Sequence, residues 1–297
     1  MKFLIFCKDK LGYVVKVQSL LISQNFMLNT DFSVVIITFN RNEKLILALN
    51  SVLNQKYKPK EIIIINNYKK KIKKKNLKCK NKNLVKIYNL KKNLRSAEGR
   101  NYGAKVSNYN YIAFLDDDDE WDNLYLYKAN KIIKKKDTDV VLTNVYYKNN
   151  KSKIFKKIKN FNLQDCFIKN TGCMCSNLII NRNKFFKIGG FDKKVVPAED
   201  RELFIKILIN KLTIKISNSK IYYDTSSNDS ISKNLNLILI GHSYLKNKYQ
   251  NIIKPKNKFF INMRLNNILY KLANNIIVKL IYLSLALFYY IGFILLR

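Results

Sequence analysis

Tyr111-Ile112-Ala113-Phe114-Leu115-Asp116-Asp117-Asp118-Asp119-Glu120-Trp121 is a short apolar run that stops on five consecutive acids. The apolar half has the length and character of a buried strand. A strand therefore delivers a cluster of carboxylates to one point, in a chain whose formal net charge is +36. Five adjacent negative groups repel one another and point to a bound cation or a very basic partner. In extended chain Asp116 and Asp118 project from the same side, so two hard oxygen ligands can share a divalent metal whose other positions fall to water and phosphate. An acidic surface turn is the plain alternative. A calcium loop of the EF-hand kind is excluded, because Trp121 falls where its sharp-turn glycine belongs and Tyr127 where its bidentate glutamate belongs.

Outward from this segment the chain alternates strand and helix signals. Residues 33–38 form a continuous apolar strand. Residues 42–54 place Leu45, Ile46, Leu49, Val52 and Leu53 at helical spacing behind a capping Asn42. Pro59 breaks the chain before a second strand at 61–65, and 85–88 makes a third. Helices are expected at 96–105 and 124–136, with a strand at 139–145 and weaker alternation through 146–175. Strand, helix, strand in succession means a mostly parallel sheet. The acids then sit at a strand's carboxyl end, where open α/β sheets bind ligands beside the point of strand-order reversal.

Composition narrows the function. An apolar fraction of 47%, with 19 Tyr and 17 Phe, supplies a full core over 297 residues, so this is no disordered polycation. Of the 56 basic residues 49 are Lys. About half of the basic excess reflects the coding bias of an AT-rich genome, and the rest suits phosphate groups and lipid headgroups. Residues 69–82 are rich in Lys and poor in apolar content, a solvated loop. With Tyr68 the only aromatic beside it and no recognised module, nucleic acid is not an expected partner. Cys7, Cys79, Cys166, Cys173 and Cys175 show no paired CxxC spacing, which argues against a zinc site or a disulfide framework. Cys173 and Cys175 read as small hydrophobes on one face of a strand. The lone His242, in a helical stretch, leaves no His-based metal or nucleophile site.

Four pieces fall in order: Thr38-Phe39-Asn40-Arg41, Gly99-Arg100-Asn101-Tyr102-Gly103, Asp116 to Trp121, and Gly189-Gly190-Phe191-Asp192 followed by Glu199-Asp200. This order, from about residue 33 to 209, resembles the family-two glycosyltransferases of the GT-A fold. The resemblance implies an α/β fold: a Rossmann-like, mixed but mostly parallel sheet flanked by helices, here with a C-terminal helical and hydrophobic extension. It also implies transfer of a sugar, usually with inversion, from a nucleotide-diphosphate donor to a hydroxyl of a glycan or lipid-linked glycan.

On that resemblance Asp116 and Asp118 match the DxD element that holds Mg²⁺ or Mn²⁺, Asp118 being the direct ligand, and Asp117 lies at the nucleotide-sugar. Asp200 matches the general base, with Glu199 holding or polarising it. The chemistry needs a base because a sugar hydroxyl is a poor nucleophile until its proton is taken. Asp200 also reads as a simple cap on the first turn of a helix over 200–210. Thr38, Phe39 and Asn40 match the loop lining base and ribose. Arg100 and Asn101 match positions near the nucleotide, at the start of a helix whose N–H groups face the ligand. Gly189 and Gly190 fit a tight turn under the acceptor. The family's usual Asp at the end of the second strand is replaced by Asn66 and Asn67. An amide there still accepts from a base N–H and also donates, with UDP the expected donor but its base preference open. The family's downstream His is missing, with Asp224 or Asp229 as stand-ins.

Residues 280–296 carry no charge and are flanked by Lys279 and Arg297. That is the lower limit for a spanning helix of about 17 to 25 residues. A span, an interfacial helix and a core helix compete, and Tyr282, Tyr289 and Tyr290 suit an interface. The expected organisation is an N-terminal extension at 1–30, a catalytic domain at 31–225, a helical region at 226–275 and a membrane-associating tail at 276–297. The first segment lacks the features of a signal peptide. The expected location is the cytoplasmic face of a bacterial inner membrane, or the cytoplasm.

Overall fold

The computed structural model describes residues 30–77, 82–135, 137–158, 161–226 and 234–296. Cys7, Cys79, Asp229 and nearly all of the expected N-terminal extension lie outside them.

Strand β1 (Phe32–Thr38) leads into helix α1 (Asn42–Leu53), then β2 (Glu61–Asn66), β3 (Val85–Asn89), helix α2 (Arg95–Lys105), β4 (Tyr111–Asp116) and a two-residue β5 (Glu120–Trp121). Helix α3 (Tyr125–Lys135), β6 (Val140–Tyr147), β7 (Ile154–Lys156), α4 (Leu163–Ile168), β8 (Leu178–Asn181) and α5 (Arg182–Lys187) follow. The chain ends in α6 (Glu199–Ile209), β9 (Ile214–Tyr223), α7 (Leu235–Lys248), α8 (Pro255–Leu272) and α9 (Ile276–Leu295).

One sheet holds the strands in the order β3-β2-β1-β4-β8-β6-β9-β5, with β7 on β6. The β3-β2-β1-β4 half is parallel, as helical crossovers demand. Beyond it β8 runs antiparallel to both β4 and β6. Alternate residues of β1 serve opposite faces: Val35 joins one core with Ile63, Ile65, Phe114 and Leu203, whereas Val34 and Ile36 join another with Leu45, Leu49, Ile62 and Leu115. Residues buried on both sides explain why these strands read as unbroken apolar runs. Strand order reverses between β1 and β4, whose paired ends are Ile37 and Asp116. The acid cluster and the loop after β1 therefore open into one crevice.

Three local expectations change. Helix α1 starts at Asn42 itself, and its boundary residue Arg41 makes no side-chain cap. Cys173 and Cys175 are buried, but in a loop and a 3₁₀ turn rather than on a strand, because the chain must cross beneath β4 before β8 begins. Among its described residues the basic loop exposes Lys69, Lys70, Lys71, Lys73, Lys74 and Lys75, as expected, but buries Leu77.

Helices α8 and α9, joined by three residues, fold back on each other. Phe259 meets Phe288 and Tyr289 at ring-centroid distances of 6.5 and 5.9 Å, Phe260 meets Phe293 at 5.3 Å, and Gly292 lets the Phe259 ring lie on its backbone. Apart from Lys279 and Ser284 the helix is apolar, most of its residues are exposed, and Ala286 alone among them is fully buried. By length and composition α9 can cross a membrane, at roughly 30 Å for 20 residues.

Helix α2 crosses the sheet at Gly103, where an added Cβ would run into Val35 Cγ1 and stand 3.3 Å from Ile65 Cγ1. Gly103→Ala should lower stability by about 1–3 kcal/mol through overpacking. A lower midpoint in urea at an unchanged slope is the expected reading.

Candidate active site

Three segments meet at the mouth of the crevice. From β1, Thr38 donates its hydroxyl to Asp117 at 2.6 Å, and Arg41 reaches Asp118 at 2.6 Å and Asp117 at 3.3 Å. From α2, Arg100 reaches Asp116 at 2.5 Å and Glu199, on the first turn of α6, at 3.0 Å. Ser96 donates to the same Glu199 oxygen at 2.5 Å. A carboxylate–guanidinium–carboxylate chain thus runs from the strand with the acids to the helix with Asp200.

Each acid sits in a different setting. Asp116 and Asp118 keep side-chain exposures of 30% and 19% and face the crevice. Asp117 is buried, and loss of water pushes its carboxyl up to about 6 despite Thr38 and Arg41. Asp119 is driven well above the carboxylate range by burial and by Asp118 and Asp116. It accepts from the Asp224 N–H at 3.1 Å, while its Oδ2 has no hydrogen-bond partner among the described residues. Burial, and then the charge of Asp116, also raise Asp118. The two outward acids are therefore close enough to repel each other. That is a hard, oxygen-only donor pair, each carboxylate already answered by one arginine, and its donor chemistry fits a divalent cation. No three His, Cys, Asp or Glu among the described residues form a cluster able to hold an ion unaided, so the remaining ligands would come from donor phosphates and water.

Asp200 sits on the first turn of α6 behind Ala198, whose φ of +100° places a non-glycine residue in the left-handed region. One carboxylate oxygen accepts from the Arg201 N–H at 2.6 Å and the other from Asn170 at 3.3 Å. Burial, then the neighbouring Glu199 charge, push it up to about 6. A carboxyl balanced near neutrality suits a general base.

Other expected site residues make their own bonds within the protein. Asn66 donates to the Lys70 carbonyl and to Asn89, both at 2.8 Å, and accepts from the Tyr68 N–H, so in this structure its amide braces the β2–β3 edge. Asn67 is tied to Arg95 and Leu94. Asn101 exchanges two hydrogen bonds with the Phe191 backbone, at 2.8 and 2.9 Å, and thereby clamps the Gly-Gly-Phe-Asp turn. Gly190 at that turn has φ +54°, and a Cβ there would stand 2.7 Å from Asn101 Oδ1. Arg100 and Asn101 lie in the second turn of α2, so they act through side chains and not through helix-end N–H groups. Phe39 is exposed and stands edge-on to Tyr68 at 5.1 Å, beside Asn40 at φ +55°. Asp224 is paired with Lys44 at 2.9 Å. Burial opposes its charge, but Ser226 and Lys44 bring it down to about 2.

The profile of the family described as "Glycosyl transferase family 2" matches residues 33–196, which spans β1 to the turn before α6. The chain belongs to glycosyltransferase family 2. Among curated proteins it is 30% identical over 218 residues to the poly(ribitol-phosphate) beta-N-acetylglucosaminyltransferase TarP of Staphylococcus aureus, covering 68% of this chain and 66% of that enzyme. It is 36% identical over 98 residues to an uncharacterized glycosyltransferase of Rickettsia bellii, covering 33% of this chain and 14% of that one. The chain thus spans about two thirds or less of these relatives. The structure of S. aureus TarS residues 1–349 with UDP-GlcNAc superposes with a TM-score of 0.56 at 17% identity, over 82% of this chain and 85% of that one. The same protein with UDP gives 0.54 at 16% identity, over 88% and 89%. These likenesses show the GT-A fold.

The raised value of Asp200 has a consequence for stability. Its folded value of about 6 lies above the ordinary 3.8, so the stability it lends is fully present below about pH 4 and is lost as pH rises through about 6. Asp200→Asn escapes that loss. At about pH 7.5 the variant should unfold at a higher temperature than wild type, by a margin of up to about 2–3 kcal/mol, and the gap should close as pH falls towards 4. Calorimetry across that range measures it.

Proposed function

We propose that this glycosyltransferase moves a sugar from a UDP-sugar, of the N-acetylhexosamine kind, to a hydroxyl of a bacterial surface glycan by a single inverting displacement. The observation that carries the reading is the Asp116–Arg100–Glu199 chain, which sets the acid pair at one end of the crevice and Asp200 at the other. The UDP-GlcNAc and UDP complexes of the similarly folded TarS, and the activity in TarP's name, support the choice of donor.

In the proposed reaction Phe39 and Tyr68 flank the base, while Thr38 holds Asp117 in place beneath it. Asp116 and Asp118 would hold Mg²⁺ or Mn²⁺, which as a Lewis acid would offset the charge developing on the departing diphosphate. Arg41, now paired with both Asp117 and Asp118, is placed beside the acid pair where it could also meet that leaving group. Asp200 takes the acceptor hydroxyl's proton as oxygen bonds to the anomeric carbon and the bond to phosphate oxygen breaks, which inverts that carbon. Asn170 and the Arg201 N–H fix the carboxylate's direction, and Glu199, held by Arg100 and Ser96, keeps its proton affinity high enough for the task.

The tail fits attachment to a membrane surface. Helix α9 lies back along α8, and α8 carries Lys256, Lys258, Arg264 and Lys271. Such a companion is costly to take across a bilayer, so the pair would rest at the interface on the cytoplasmic side, where a lipid-linked acceptor is held too.

Calorimetric titration of UDP tests the site. Binding should need Mn²⁺ or Mg²⁺ and weaken about tenfold or more in Asp118→Asn, an effect in the range of a lost charged contact. Asp200→Asn should bind UDP as wild type does while transfer from UDP-GlcNAc falls by roughly 10²-fold. Metal-independent UDP binding unchanged in Asp118→Asn would sink the cation assignment. Flotation tests the tail: the full chain should stay on phosphatidylglycerol vesicles in high salt, and release by salt alone would contradict burial of α9 in lipid.

A further inference from the structure

A second charged cluster lies behind α6, away from the crevice. Helices α4, α6, α7 and α8 meet around a small cavity lined by Phe167, Arg201, His242, Lys246, Ile253 and Arg264, among others. Its volume of about 10 Å³ has room for one water-sized sphere. Four of those side chains are basic, and among the described residues no carboxylate lines the space.

Arg201 is only 7% exposed, and its Nε has no hydrogen-bond partner among the described residues. Burial, partly offset by Asp200, brings this guanidinium down to about 10, and the like charge of Arg264 adds to the strain. Asp200 itself is already held by Asn170 and its own helix backbone. Arg264 gives one N–H to the Ile168 carbonyl at 2.7 Å and so is anchored at the cavity wall. His242 is pushed down to about 3 by burial and by both arginines, so its ring is neutral and has an N–H to donate. A buried guanidinium whose Nε–H is unpaired, beside a second guanidinium and only partly offset by Asp200, gains from a further opposite charge.

We infer that the junction of α4, α6, α7 and α8 is an anion-binding site, in which Arg201, Arg264 and His242 hold a single anionic atom, either a halide or one phosphate oxygen. The small volume excludes a whole phosphate from the cavity, yet an oxygen of one can enter from its mouth. Because Arg201 follows Asp200 on α6, the bound anion would tie the helix bearing the base to the C-terminal helices. The site stands apart from the donor crevice, so its test does not depend on the transferase reading.

The full-length protein is exchanged into gluconate, and its melting temperature is followed as gluconate is replaced by bromide or by glycerol phosphate at constant ionic strength. A saturable rise of several degrees is expected, in line with linkage to a ligand of the folded state. Bromide acting alone assigns a halide, and glycerol phosphate acting at lower concentration assigns the oxygen of a phosphate. Arg264→Met should abolish the rise. Arg201→Met should do the same and melt higher than wild type in gluconate, since it removes the unpaired buried charge. Crystals soaked in bromide provide a reading free of substitutions, with an anomalous peak expected between Arg201 and Arg264. No anion dependence in the wild type, an equal rise in both variants, or an empty cavity at saturating bromide would each overturn the inference.

Discussion

Arg100 is a buried cation held between two acids from different parts of the fold: Asp116 at the end of β4 and Glu199 at the start of α6. Burial works against its charge, but Asp116 and Glu199 outweigh that cost and keep it firmly protonated. Removing the guanidinium would leave both acids without their shared cation, a loss of several kcal/mol, so the two halves of the crevice are bound to one another. The Phe191 ring lies 5.7 Å from the same guanidinium, and Asn101 on the next position clamps the Phe191 backbone. Strand, helix and glycine turn thereby share one anchor.

The acid cluster works in the other direction, by leaving charge poorly matched. Arg41 and Arg100 answer Asp118 and Asp116 one to one, while Asp117 and Asp119 are buried and hold protons more tightly than free carboxyls do. An arrangement that resists full ionisation when empty gains most from an added cation. Asp200 follows the same rule, since it is raised by its own burial and by Glu199. Both ends of the crevice therefore hold carboxyls that burial and neighbouring charge keep from ionising freely.

Much of this was legible in the chain. Continuous apolar runs gave the parallel strands because residues such as Val34 and Val35 are buried on opposite faces, and the ordered motifs identified the family. Local details were harder. The sequence does not show the bonds that Asn66 and Asn101 make within the protein, Asn66 to Lys70, Tyr68 and Asn89 and Asn101 to the Phe191 backbone, since a buried amide takes whatever partners the fold brings near. Ser96, Asn170 and Ser176 carry no motif. Ser96 is found only through its bond to Glu199, and Ser176 only because it accepts from the Asp116 N–H at 3.1 Å. Arg41 closes the Thr38-Phe39-Asn40-Arg41 motif, but its reach to Asp118 spans 77 residues, and no local pattern encodes that.

Steady-state kinetics of Arg100→Lys with UDP-GlcNAc test the central claim most directly. Lysine keeps the charge but has no fork with which to hold two carboxylates at once. If Arg100 sets the donor acids and the base helix in register, the variant should bind UDP-GlcNAc more weakly and also turn over more slowly, each by about tenfold or more. Wild-type values for both would contradict the account and reduce the Asp116–Arg100–Glu199 chain to a detail of packing.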